Sequence, residues 1–131
     1  MNQFRATVKK IENVNNLHLV SFDVGHQIVK MLSLELNELF KVDSDVLLSV
    51  KSTNIAIAKD FIGLLSYENQ LDATILNVEN GKLLSSVELE IEGFKIEAII
   101  PLNASLKMNL QKANKVIALI RETEVSLLKT L

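Results

Sequence analysis

The sequence of 131 residues contains no cysteine and no tryptophan, and only one proline and four glycines. Without cysteine, disulfides, thiolate zinc sites, iron–sulfur clusters and thiol nucleophiles are excluded, and a reducing compartment is favoured. No apolar run approaches the roughly 18 residues that span a bilayer. The first residues also lack the basic-then-apolar pattern of a signal peptide. We therefore expect a cytoplasmic protein that makes no membrane contact.

Charge of one sign and aromatic residues are also scarce. The formal net charge is −2, aromatic residues make up 5% of the chain, and Lys9 and Lys10 form the one basic cluster. Single-stranded nucleic acid is bound by stacking aromatics along a basic groove, so we expect no nucleic-acid partner. Any anion site must be a local one, built from a few residues.

Motifs of enzymes and metal centres are missing as well. The sequence has no Gly-x-Ser-x-Gly motif, no phosphate-binding Gly-Lys-Ser/Thr loop and no dinucleotide fingerprint. His18 and His26 have no second ligand at a metal-like spacing. We predict that the protein is not an enzyme and has no catalytic residue and no metal site of its own.

The chain instead contains an internal repeat. The segment from Asn2 to Val8 returns 67 residues later as Asn69 to Ile75, Gly25 faces Gly93 at an offset of 68, and Lys51 faces Arg121 at an offset of 70. Small insertions in loops account for this drift. The pattern indicates a duplicated module.

Apolar and polar residues alternate within each copy, as in half-buried strands. Short amphipathic helices are predicted at 33–40 and 103–111, with Pro101 and Asn103 as start signals in the second copy. Each copy thus has the order strand, strand, strand, helix, strand, strand in about 60 residues. We predict an all-β fold with short helices, made of two tandem OB-like five-stranded barrels.

The predicted modules cover residues 1–60 and 66–131, and residues 61–65 form the connector between them. The connector region is too apolar for a free linker, so we expect Phe61, Ile62, Leu64 and Leu65 to pack across the two copies. Barrels of about 60 residues are marginal alone, which favours one compact unit.

The last strand pair of each copy carries a family resemblance. Lys51-Ser52-Thr53-Asn54-Ile55-Ala56-Ile57 resembles the K-[AS]-[ST]-x-V-x-[LI] ending of the molybdate-binding Mop, or TOBE, domains, and the segment from Arg121 to Leu127 is similar in a divergent form. Asn2 and Asn69 fall where that family begins S-A-R-N, and the segment from Ile96 to Pro101 resembles its x-T-A-I-I-T. The resemblance covers nearly the whole chain, twice.

This resemblance implies a tandem, or di-Mop, arrangement. It further implies that molybdate or tungstate is bound as a ligand at interfaces between modules or subunits, with no covalent cofactor. A homo-oligomer is implied, most simply a trimer, with a role in intracellular molybdenum storage, buffering or delivery to cofactor synthesis.

The predicted ligand contacts suit a tetrahedral dianion, which needs inward-pointing N–H and O–H donors and at least one cation. Lys51 supplies the charge, and Ser52 and Thr53 supply hydroxyls and backbone amides. Ser33 matches the family's hydroxyl at the start of the short helix. The full predicted set of oxyanion-binding residues is Lys51, Ser52, Asn2, Ser33, Thr53, Asn69, Arg121, Thr123 and Ser105.

Carboxylates depart from the family pattern at two places. Glu68 stands where the pattern has an arginine, and Glu122 replaces the small residue after Arg121. A carboxylate beside an anion site opposes binding by like-charge repulsion. The first copy is therefore the better candidate site, and Arg121 also suits a cross-strand ion pair with Glu122 or Glu124. The alternative is a TOBE-like interaction or regulatory module that has lost oxyanion binding.

Overall fold

The computed structural model describes residues 1–34 and 41–131, and these form a mostly β structure. The strands are β1 (Asn2–Val14), β2 (Leu17–Val24), β3 (Gln27–Ser33), β4 (Asp45–Val50), β5 (Ile55–Ala58), β6 (Asn69–Asn80), β7 (Leu84–Ile91), β8 (Phe94–Pro101), β9 (Lys115–Ile120) and β10 (Ser126–Thr130). One α-helix, α1 (Leu102–Lys107), follows β8, and short 3-10 turns lie at Ser52–Asn54 and Glu122–Glu124. The prediction of two five-stranded units with short helices is confirmed.

The alternation of the sequence becomes the buried face of each sheet. Val8, Val20 and Phe22 are fully buried in the first copy, and Val87 and Leu89 are fully buried in the second. Successive side chains of a strand point to opposite faces, so each sheet buries its apolar face in the core. Polar residues between them form the solvent face.

The two sheets exchange their last strands. The first sheet has the order β10-β4-β1-β2-β3, and the second has the order β5-β9-β6-β7-β8. β5 thus pairs antiparallel with β9 of the other copy, and β10 pairs antiparallel with β4. The sequence repeats 1–60 and 66–131 are therefore not the folding units, because each contributes its fifth strand to the other sheet.

The connector at 61–65 does not pack between the copies, and that prediction is wrong. Ile62 is 96% exposed and Leu64 is 100% exposed, while Phe61 and Leu65 are 36% and 39% exposed. The strand exchange already fastens one copy to the other, so the connector only has to span the gap between β5 and β6.

The offset between the copies also differs from the predicted one at the second hairpin. Both hairpins close with two-residue turns, because Val24 pairs with Gln27 and Ile91 pairs with Phe94. Gly25 therefore matches Glu92, 67 residues on, and both have positive φ, +61° and +49°. The predicted shift to 68 at Gly25 and Gly93 is wrong, because Gly93 is the second residue of its turn.

The helix of the second copy is shorter than the predicted 103–111. It begins after Pro101 and ends at Lys107, because Asn109 adopts a positive φ of 49° that no α-helix continues. In the first copy Ser33 ends β3, and the rest of the predicted helix at 35–40 lies outside the described residues.

Candidate functional site

The two 3-10 turns meet where the copies exchange strands. Each turn follows a basic residue, Lys51 in the first copy and Arg121 in the second. Asn54 Nδ2 donates a hydrogen bond of 2.8 Å to Glu124 Oε2, which joins the end of one turn to the end of the other. Asn54 and Glu124 are equivalent positions of the repeat, so the contact lies on the approximate two-fold axis that relates the copies.

A small pocket lies on each side of this contact. The first, of about 200 Å³, is lined by Lys51 of the first copy and Thr123 of the second. The other, of about 210 Å³, reverses the origin of the two groups and is lined by Arg121 and Thr53. Each pocket combines a cation from one copy with a hydroxyl from the other, so four of the predicted site residues come together in two related pairs.

The charge around these pockets is mixed. Glu124 lines both pockets, so the carboxylate shared by them stands against one cation in each. The Arg121 guanidinium lies 5.0 Å above the ring of Tyr67, a cation–π contact that orients it. Since a water takes up about 30 Å³ of liquid volume, each pocket has room for a small anion and several waters.

Asn2 and Asn69 lie beside the 3-10 turns and bind backbone of the opposite copy. Asn2 Nδ2 donates to Glu97 O, and Glu97 N donates to Asn2 Oδ1, both at 2.8 Å. The fully buried Asn69 repeats this with Lys30, whose N–H donates to Asn69 Oδ1 at 2.7 Å and whose carbonyl accepts from Nδ2 at 2.8 Å. Both amides thus hold the third strand of the other copy.

Ser52 faces a carboxylate of the second copy. Its hydroxyl donates to Glu97 Oε1 at 3.2 Å, and the Ser86 hydroxyl donates to Glu97 Oε2 at 2.8 Å. At the equivalent place in the other half, Lys30 Nζ lies 3.3 Å from Glu68 Oε1. The sequence reasoning did not include Glu97 or Lys30, although both follow an Asn of the repeat by the same interval across the copies.

The remaining two predicted residues lie elsewhere. Ser105 is 2% exposed, and its hydroxyl donates to Asn80 Oδ1 at 3.2 Å and accepts from Ser85 at 3.3 Å, which fixes α1 to the β6–β7 hairpin. Ser33 pairs with His18 at the end of β3. Oxyanion contact by any of the nine predicted residues stays a prediction.

A second set of contacts between the copies involves the hairpin turns. The His26 N–H donates to Glu92 Oε1, and Gln27 Nε2 donates to Glu92 Oε2 at 3.3 Å. These donors, first the His26 backbone N–H and then the Gln27 amide, lower the pKa of Glu92 from its ordinary value of 4.5. The Gln27 amide also bonds both the N–H and the carbonyl of Asp72.

The largest groove, of about 700 Å³, lies next to these turns. It is open, and its charged lining is mostly acidic, with Asp60, Asp72, Glu90 and Glu92 against Lys115. Such a groove does not suit an anion. Within residues 1–34 and 41–131, no three His, Asp or Glu side chains are grouped to hold a metal ion.

The fold and the paired pockets define a tandem OB-like protein with two modules in one chain. The TOBE domain family profile matches residues 65–127. With its internal repeat, the chain belongs to the Mop/TOBE family as a tandem member.

Solved structures give the same architecture. The structure of the cytoplasmic molybdate-binding protein ModG with molybdate bound matches 96% of this chain and 94% of its own at a TM-score of 0.90 and 23% identity. A molybdate-binding protein from Sporomusa ovata matches 51% of this chain over its whole length, at a TM-score of 0.50 and 27% identity. A search of curated proteins found no match. No helix in the described part of the chain is long and apolar enough to cross a membrane.

Proposed function

We propose that this protein binds molybdate or tungstate at the interface between its two modules, in the pockets beside the 3-10 turns. The observation that carries the proposal is the pairing of a cation of one copy with a threonine of the other, Lys51 with Thr123 and Arg121 with Thr53. Its support from known proteins is the molybdate bound by ModG, whose fold this chain shares.

The chemistry of each pocket suits a tetrahedral oxyanion. A dianion loses its hydration only where cations and hydroxyl or amide donors replace the water. Lys51 and Arg121 supply one positive charge each, and the threonine hydroxyls supply directional donors. Ser52 is the one predicted donor whose hydroxyl already has a protein partner, Glu97.

Isothermal titration with molybdate, tungstate and sulfate tests the proposal. We expect saturable heat with molybdate and tungstate, and at least tenfold weaker binding in Lys51→Ala and in Arg121→Ala, each of which removes the cation of one pocket. Lys82→Ala removes an equal charge from an exposed turn and is the matched control. No heat with molybdate or tungstate at millimolar concentration would contradict the proposal.

The proposed setting is the cytoplasm, and the proposed role is storage, buffering or delivery of molybdenum. We also propose a homo-oligomer, most simply a trimer. β10 is an edge strand of the first sheet, and Leu128 and Leu131 beside it are 44% and 48% exposed, so this edge is suited to contact another subunit. Light scattering that gives a monomer mass at micromolar concentration would refute self-association.

A second candidate function is an interaction or regulatory module that has lost oxyanion binding. The observation that favours it is the carboxylate of Glu97 on Ser52. An oligomer that forms fully without oxyanion, together with no change in any property in Lys51→Ala, would support this alternative.

A further inference from the structure

We propose that Glu97 is an internal competitor for the oxyanion, because its carboxylate occupies hydroxyl donors that a bound anion would use. This inference rests on the function proposed above and concerns how tightly the site binds. The contacts that carry it are those of Ser52 and Ser86, which donate to Glu97 Oε1 at 3.2 Å and to Oε2 at 2.8 Å.

A carboxylate resembles an oxyanion to these donors. Ionised, it is negatively charged, accepts hydrogen bonds at both oxygens and donates none. A serine hydroxyl has a single proton, so a hydroxyl that donates to Glu97 cannot donate to a free anion at the same time. The two hydroxyls come from different copies, Ser52 from the first 3-10 turn and Ser86 from β7, so Glu97 lies at the junction where the pockets are.

The backbone of Glu97 is fixed while its side chain is not. The Asn2 amide binds both the N–H and the carbonyl of Glu97 at 2.8 Å, which places the carboxylate against Ser52. The Glu97 residue is exposed, so its carboxylate can leave for solvent when an anion replaces it. The contact is therefore reversible, as a competitor requires.

The other half of the molecule shows that position 97 does not need an acid for folding. Lys30 is held by Asn69 in the same way as Glu97 is held by Asn2, so the equivalent position tolerates the opposite charge. There the carboxylate comes from Glu68, which lies 3.3 Å from Lys30 Nζ. The role of Glu97 on Ser52 is thus separate from the backbone contact that joins the copies.

Molybdate titration of the full chain, at one pH and one ionic strength, tests the competitor role. We expect Glu97→Gln, which removes the charge and keeps the shape, to bind molybdate at least fivefold more tightly than the wild type. Glu97→Ala, which also frees both hydroxyls, should bind at least as tightly as Glu97→Gln. Glu88 faces Glu97 on the neighbouring strand, so Glu88→Gln makes the same change of charge without touching Ser52 and should change the Kd less than twofold.

The outcomes separate this inference from the proposed function. Equal Kd values for the wild type and both Glu97 variants would overturn the competitor role and leave oxyanion binding intact. Tightening by Glu88→Gln equal to that by Glu97→Gln would also overturn it, since the effect would then be one of general charge. No molybdate heat in the wild type or in any variant at millimolar concentration would remove both proposals.

Discussion

Asn54 and Glu124 occupy equivalent positions of the two copies and bond each other, with Nδ2 of the amide 2.8 Å from Oε2 of the carboxylate. In a perfectly symmetric pair, two asparagines or two glutamates would meet here, and two carboxylates would repel each other. The divergence of one position therefore gives a charge-assisted hydrogen bond on the axis between the copies.

Asn54→Ala removes this bond between the 3-10 turns. A hydrogen bond to a charged group contributes about 1.5–3 kcal/mol, so we expect the free energy of unfolding to fall by about 1–2 kcal/mol once water has rehydrated Glu124. Urea denaturation measures the loss. Asn77→Ala, at an exposed position of β6, is the control and should change stability by less than about 0.5 kcal/mol. Equal effects of the two substitutions would contradict the prediction.

Gly25→Ala tests the packing of the two hairpin turns. A Cβ at Gly25 would lie 2.9 Å from Glu92 Cβ, and the residue has φ +61°, so both a clash and backbone strain result. Gly93→Ala is the matched control, because Gly93 has φ +87° and a Cβ there would meet no atom within 4 Å. We expect Gly93→Ala to cost about 1 kcal/mol and Gly25→Ala to cost about 1–2 kcal/mol more in urea denaturation. Equal losses would show that Glu92 yields freely.

Glu92 also makes stability depend on pH. The donors from His26 and Gln27 lower its pKa in the folded state, so the unfolded chain binds the proton more readily. The resulting stabilisation is fully present above the ordinary value of 4.5 and is lost as the pH falls through the lowered folded pKa. Urea denaturation from pH 7 down to pH 3 should therefore show Glu92→Gln less stable than the wild type near neutrality, with the gap closing in acid. A gap that is constant with pH would contradict this assignment.

Much of the fold follows from local pattern, and the strand exchange does not. The alternation of Phe4, Ala6 and Val8 determines which face of β1 is buried, whatever strand lies beside it. The same pattern in β5 and β10 fits either sheet, so the sequence does not distinguish exchanged from unexchanged strands. The exposed Ile62 and Leu64 were misassigned for the same reason, since apolar composition does not say what surface is nearby.

The candidate site was predictable by residue type and not by partner. Lys51 and Thr123 were both predicted, yet only the exchanged topology shows that they line one pocket. Glu97 lies 45 residues from Ser52 in the chain, and no local motif connects them. The interval of 67 residues that relates both Asn2 to Asn69 and Lys30 to Glu97 was present in the sequence, and it would have indicated a reciprocal contact.

A fragment of residues 1–60 tests the strand exchange. In the full chain β4 pairs with β10 of the second copy, and the fragment retains β5 as the equivalent strand. Since β4 of one fragment then lacks a neighbour that β5 of another can supply, we expect a dimer by reciprocal exchange. Light scattering on a size-exclusion column should give twice the fragment mass. A folded monomer, by circular dichroism and mass, would show that β5 can pair within its own copy.

Ala113→Gly should stabilise the protein. Ala113 has φ +75° because its N–H donates to Ile75 O at 2.8 Å, and Asp43 repeats this geometry in the first copy with φ +74° and a 2.8 Å bond to Val8 O. A left-handed conformation costs a residue with a Cβ about 1–2 kcal/mol, and glycine removes that cost while it raises the entropy of the unfolded chain by about 0.4–1 kcal/mol. We therefore expect a net gain of about 0.5–1 kcal/mol by urea denaturation. Ala104→Gly makes the same chemical change inside α1 and should instead lose about 0.5–1 kcal/mol. If both variants lose stability equally, the strain at Ala113 is absent and the hydrogen bond to Ile75 alone determines its conformation.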